Sequence, residues 1–72
     1  MKALVITNCS DGMFWYRSLI GAMVPFVRED GDCYLSRDTG GYLNIVKFQD
    51  AKIIDVDEFV NSNKLNWYAN IT

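Results

Sequence analysis

Turn-forming residues cut this chain into short pieces, and that punctuation is what most restricts its fold. Asn8, Ser10, Asp11 and Gly12 end the first apolar run, Asp30-Gly31-Asp32 falls in mid-chain, and Asp38-Thr39-Gly40-Gly41 follows soon after. These residue types favour turns through their own backbone freedom or side-chain hydrogen bonding. The runs between them read as strands. "KALVIT" (2–7) is short, apolar and rich in β-branched residues, so it predicts a buried strand. "AMVPFVRED" (22–30) lets Val24 and Phe26 share one face while Met23, Pro25 and Val27 share the other. Pro25 has no N–H to give a ladder and marks an edge or a bulge.

The Asp-Gly signal then leads into "CYLSR" (33–37), and "DTGG" leads into "YLNIVKF" (42–48), which together predict a three-stranded meander. A strict Asp30-Gly31 turn would set Glu29 opposite Asp32, a like-charge pair, so a longer or bulged loop is expected there. "QDA" (49–51) reads as one 3₁₀ turn and "KIID" (52–55) as a fifth strand. Beyond it Asp55 is a candidate N-cap, Glu58 stands at the capping-box position and Ile54 can staple to Phe59. Val56, Phe59 and Val60 fall on one face, and Asn61 to Asn63 supply a stop, so a short helix is expected over 56–62, followed by a tail over 63–72.

A chain of 72 residues has room for one domain, 1–72, and half of its residues are hydrophobic against a net charge of −2, which is far from the signature of disorder. A domain this small often needs help from a metal, a disulfide or a partner. The two cysteines, Cys9 and Cys33, are far from CxxC spacing and there is no histidine to complete a zinc site, so no metal and no cofactor are expected. The N-terminus lacks the longer apolar segment of a secretory signal, and no run approaches a membrane span, so the expectation is a soluble cytoplasmic protein with both thiols reduced.

Catalytic chemistry finds little to work with. Without histidine, a serine or cysteine nucleophile lacks its commonest base. The carboxylates Glu29, Asp30 and Asp32 flank a turn and Asp55, Asp57 and Glu58 cap a helix, both routine uses, and neither group has the ligand spacing of an EF-hand loop. The glycines make no phosphate-binding loop. No catalytic residue is assigned, and the chain reads as a protein that is not an enzyme.

What remains is "MFWYRSLIG" (13–21), four large apolar residues in a row inside the long connection between the first two strands. Loops of that length usually have a job. Some of the rings must close one end of a core this small, yet consecutive loop residues cannot all point inward. If Phe14 and Leu19 or Ile20 pack inside, Trp15, Tyr16 and Arg17 are left near the surface, and these types are enriched at protein–protein hot spots. Tyr42 and Trp67 are candidates to extend such a patch. Nucleic acid is the alternative partner, since aromatic residues stack on bases, but an acidic isoelectric point near 4.7 and dispersed cations at Arg28, Arg37, Lys47 and Lys52 weigh against it.

The order over residues 1–55, a strand, a long loop, a three-stranded meander, a 3₁₀ turn and a last strand, resembles the SH3-like small β-barrels. The resemblance implies a mainly β fold, a small five-stranded SH3-like barrel with the short helix covering an open end. It departs from peptide-binding SH3 domains, for there is neither an "ALYDY" element nor paired tryptophans, and polyproline recognition is not implied. The stretch "GDCYLSRDTGGYLNIVKFQDAKII" also looks like that of short phage-encoded barrel proteins, through Gly41, Tyr42, Asn44, Ile45, Val46, Asp50 and Ala51. That likeness implies a non-catalytic accessory protein, in the host cytoplasm, that binds a host complex such as RNA polymerase or a defence system. A single-stranded nucleic-acid-binding barrel is the alternative, and a homodimer would conceal the same rings.

Overall fold

The computed structural model describes residues 1–56 and 66–70. Six strands follow one another there: β1 (Lys2–Ile6), β2 (Met23–Pro25), β3 (Arg28–Asp30), β4 (Cys33–Arg37), β5 (Leu43–Lys47) and β6 (Ala51–Asp55). One 3₁₀ turn, Phe48–Asp50, joins the last two. The strands form two three-stranded antiparallel sheets, ordered β2-β1-β6 and β3-β4-β5. The fold is therefore mainly β, as the spacing of the turns predicts.

The second expected strand is two. Pro25 ends β2, Phe26 and Val27 lie between, and Arg28 opens β3 in the other sheet. A proline cannot donate to the next rung of a ladder, so the run bends there and serves the edge of each sheet in turn. The hairpin that follows has Gly31 and Asp32 as its two turn residues, with Asp30 opposite Cys33 and Glu29 opposite Tyr34. Gly31 takes a positive φ of 64° at the first central position, as type II′ hairpins require. Moving the turn by one residue avoids the Glu29–Asp32 pairing without a longer loop.

Register decides what is buried. Leu4 lies opposite both Val24 and Ile53, and Ile6 opposite Ala51, so these five side chains share one face of the first sheet. In the second sheet Val46 lies opposite Tyr34. Leu4, Ile6, Tyr16, Val24, Val46 and Ala51 make the buried centre, with Phe14, Trp15, Phe26, Tyr34 and Ile53 packed around it. Each fully buried Leu, Ile or Val contributes about 1.5–3 kcal/mol of transfer free energy.

The expected closed five-stranded barrel does not form. Among the described residues β5 has β4 as its strand neighbour and β6 has β1, and no ladder joins β5 to β6. Side chains occupy the free side of β5 instead. Trp15 Nε1 donates to the Ile45 carbonyl at 2.7 Å, the Lys47 N–H donates to Tyr16 Oη at 3.2 Å, and the Ile45 N–H donates to Asn44 Oδ1 at 2.9 Å. Three of the backbone groups that closure would pair with another strand, the N–H and carbonyl of Ile45 and the N–H of Lys47, are thus satisfied by the loop and by Asn44.

Of the helix expected over 56–62, all but Val56 lies outside the described residues. The described part of the tail returns to the sheets. The Tyr68 N–H donates to the Met23 carbonyl at 2.8 Å, and its hydroxyl reaches the carbonyls of Arg37 and Asp38, both at 3.0 Å. Asn70 pairs with Ala22 beside Gly21. Gly21 has φ +88°, and a Cβ there would stand 2.9 Å from Asn70 Nδ2. Gly21→Ala is therefore expected to cost about 1–2 kcal/mol from the left-handed backbone alone, with the crowded Asn70 adding to it. Gly31→Ala has the same backbone penalty but open space around it. Thermal melts should show the larger drop for Gly21→Ala; equal drops would mean that Asn70 does not pack against residue 21. Among the described residues, no helix is long and apolar enough to cross a membrane.

Candidate functional site

The connection from β1 to β2 is a chain of tight turns. The Phe14 N–H bonds to the Asp11 carbonyl, Arg17 to Phe14, Leu19 to Tyr16 and Ala22 to Leu19, each three residues back, at 2.8–3.2 Å. Asp11 starts the series by accepting the Met13 N–H on Oδ1 at 2.9 Å. Successive turns rotate neighbouring side chains apart, so Met13 and Arg17 face solvent, Phe14 and Trp15 are half-buried, and Tyr16 is fully buried. Phe14 stacks on Tyr16 with ring centres 5.3 Å apart, and Trp15 meets it edge-on at 5.5 Å.

Tyr16 is aimed by a carboxylate. Its hydroxyl donates to Asp50 Oδ2 at 2.6 Å, and Asp50 also accepts the Ser10 N–H at 3.1 Å, the Ser10 hydroxyl at 2.8 Å and the Asn8 amide at 3.4 Å. The Asp50 carbonyl takes the N–H groups of Thr7 and Asn8. Burial by itself raises the carboxyl pKa, but the Tyr16 hydroxyl and the Ser10 and Asn8 donors outweigh it and hold Asp50 below the usual aspartate range. Burial, and then the same bond to Asp50, push the Tyr16 phenol well above the usual tyrosine range. Asp50 therefore carries its charge and Tyr16 its proton at neutral pH. No buried side-chain nitrogen or oxygen among the described residues lacks a partner. The arrangement is a fully satisfied polar clamp between the aromatic loop and the 3₁₀ turn, and its chemistry is positioning.

Of the five residues expected to contact a partner, Tyr16 requires correction. It was expected near the surface, but its hydroxyl is the group that Asp50 holds inside, and none of it is exposed. Trp15 is half-buried, with its indole N–H tied to β5. Arg17 is exposed, and its guanidinium donates to the Phe14 carbonyl at 3.2 Å. Tyr42 is 74% exposed in the turn between β4 and β5. Trp67 is half-buried in the returning tail. Ring contacts among the described residues gather Phe14, Trp15 and Tyr16 into one group and Phe26, Tyr34 and Phe48 into another. Tyr42 and Trp67 belong to neither.

What Trp15 does adjoin is an apolar strip on β5. Leu43 is 46% exposed and Ile45 38%, and Tyr42 precedes them. The turn that presents Tyr42 is built on Asp38, whose Oδ1 accepts the N–H groups of Gly40 at 2.9 Å and Tyr42 at 3.0 Å, while Oδ2 accepts the Asn44 amide at 3.3 Å. The Tyr42 N–H above all holds the Asp38 carboxyl below its ordinary value. The strip is missed by a search for rings, because Leu43 and Ile45 look like core residues of a strand; the alternation of "LNIVK" is the signal that two of its apolar residues face away from Val46. Asp50 has a signal too, as a lone carboxylate between the strand-forming runs 42–48 and 52–55. Cys33 is buried, and burial with the neighbouring Asp32 carboxylate raises its thiol pKa, which favours the neutral thiol. Compared with family models, curated proteins and solved structures, the chain matches none.

Proposed function

We propose that this chain is a non-catalytic protein-interaction module of SH3-like layout, a phage accessory protein that binds a host complex in the host cytoplasm and inhibits or redirects it. The host complex is of the kind that RNA polymerase or a defence assembly represents. The observation that carries the reading is the exposed run of Tyr42, Leu43 and Ile45 along one edge strand, with Trp15 fixed beside it. Adjoining exposed apolar side chains in so small a domain mark a contact surface better than scattered ones do. The SH3-like part rests on the bent second strand that serves both sheets and on the 3₁₀ turn before the last strand.

The test is affinity capture from bacterial lysate, with nuclease added, using wild type and Tyr42→Ala/Leu43→Ser. Both positions are exposed, so the double variant should keep its fold. The expected result is a host protein complex held by wild type at moderate salt and lost by the folded variant. Capture that vanishes with nuclease, or that falls steeply with salt, would move the single-stranded nucleic-acid reading ahead. Elution of wild type as a dimer, with Tyr42→Ala/Leu43→Ser monomeric, would assign the strip to self-association.

A further inference from the structure

The described part of the tail, 66–70, holds both sheets through one residue. The Tyr68 N–H donates to the Met23 carbonyl of β2 at 2.8 Å, and its hydroxyl lies 3.0 Å from the carbonyls of Arg37 and Asp38, where β4 gives way to the turn before β5. Asn70 secures the next step of the tail: it pairs with Ala22, and its amide reaches the Ile20 carbonyl at 3.4 Å beside Gly21. The tail is thus a strap from the first sheet to the second, and Tyr68 is the point where it crosses.

The Asp38 carbonyl that Tyr68 reaches also closes the β4–β5 turn, by accepting the Gly41 N–H at 2.8 Å. The Asp38 carboxylate accepts the Gly40 and Tyr42 N–H groups. The Tyr42 ring lies across Gly40, where a Cβ would stand 3.2 Å from Tyr42 Cδ2. The direction of the Tyr42 side chain therefore follows from the turn, and the turn leans on Tyr68. Tyr68 itself is under strain. Its φ is +67°, and a left-handed backbone is unfavourable for a residue with a Cβ. Such a conformation persists only where surrounding contacts over-determine it; here they are the three carbonyls and the packing of the ring against the core. A segment held by few bonds against its own backbone preference belongs to the part of a fold that opens locally.

We infer that the tail is a strap that regulates the contact strip: docked, it fixes the turn that presents Tyr42 and Leu43 to a partner, and released, it lets Tyr68 and that turn open together. The inference rests on the interaction-module reading and adds how its surface is controlled. Tyr68 is a positioning residue in this scheme, since it acts through the turn.

The experiment is native-state amide hydrogen exchange on the isotope-labelled full chain, wild type and Tyr68→Phe. The variant keeps the ring and the N–H bond to Met23 and removes only the bonds of the hydroxyl to Arg37 and Asp38. In wild type the amides of Tyr68, Gly41 and Tyr42 should share one level of protection, lower than that of Leu4 and Val24 in the first sheet. In Tyr68→Phe the amides at 68, 41 and 42 should quicken together by about tenfold, because the opening that exposes them no longer has to break the hydroxyl bonds. Turn amides unchanged by the substitution would show that the turn opens without the strap. A wild-type Tyr68 amide as protected as Leu4 and Val24 would show that the tail leaves only when the whole fold does. Either result overturns the inference. The lysate capture separates the two claims. A host complex held by wild type and weakened several-fold by folded Tyr68→Phe supports regulation of the strip, and one held equally by both overturns it. Capture of no host protein by wild type removes the module reading, and exchange still decides whether the tail and the turn open as one.

Discussion

Tyr16→Ala should leave most of the protein unfolded at room temperature, while Tyr16→Phe should fold and be measurably weaker. The alanine variant removes a fully buried ring that stacks on Phe14 and meets Trp15 edge-on. Truncating a buried aromatic side chain typically costs about 3–5 kcal/mol. Domains have about 0.05–0.15 kcal/mol of stability per residue, so a chain of this length has little to spare. Tyr16→Phe keeps the ring and loses only the hydroxyl. That removes one of the donors to Asp50 and leaves the Lys47 N–H without its acceptor, a loss of about 2–3 kcal/mol for a bond to a charged group with a half-buried donor stranded. Urea unfolding followed by tryptophan fluorescence measures both, with Trp15 as the nearby reporter. A midpoint for Tyr16→Ala close to wild type would show that this ring is not part of the core.

How far the sequence foretells this structure can be judged from such residues. The turns at Asp30–Asp32 and Asp38–Gly41 and the strands they separate are legible because turn chemistry and strand length are local properties. The break of 22–30 into β2 and β3 is half legible: Pro25 announces a fault in the ladder, but where the chain resumes depends on the second sheet. The argument that four consecutive large residues cannot all turn inward is sound, yet it does not say which one does. Tyr16 goes in because a carboxylate 34 positions away waits for its hydroxyl, and that information is not local. The strip on β5 is hidden for a related reason, since an apolar residue in a strand is read as core until the register assigns it a side.

Replacing Asp50 with asparagine should destabilise the protein by about 2–4 kcal/mol at neutral pH, because one amide N–H would then face donors that now find an acceptor. The more telling result is the dependence on pH. The folded Asp50 carboxyl lies below its ordinary value, so in wild type the stabilisation is complete above the unfolded aspartate pKa of about 3.9. As pH falls from there, the unfolded chain takes up a proton before the folded one does, and stability drops until Asp50 itself is protonated. Asp38, depressed by the Tyr42 N–H, contributes in the same direction. At the other end the Tyr16 phenol is raised, so above about pH 10 the unfolded tyrosine ionises first and stability falls as pH rises. The difference between wild type and Asp50→Asn should therefore be greatest on the plateau and shrink in acid, whereas Tyr16→Phe should lose part of the alkaline decline. Urea midpoints across the range decide it: a wild-type minus Asp50→Asn difference that does not change with pH would mean that the fold does not lower the Asp50 carboxyl. Tyr16 and Asp50 touch, so their effects should not add, and Tyr16→Phe/Asp50→Asn should cost less than the two single changes together. The clamp also has a reach beyond stability. It fixes the loop that brings Trp15 to Ile45, and Tyr16 Oη itself accepts the Lys47 N–H of β5, so either substitution should disturb the β5 strip.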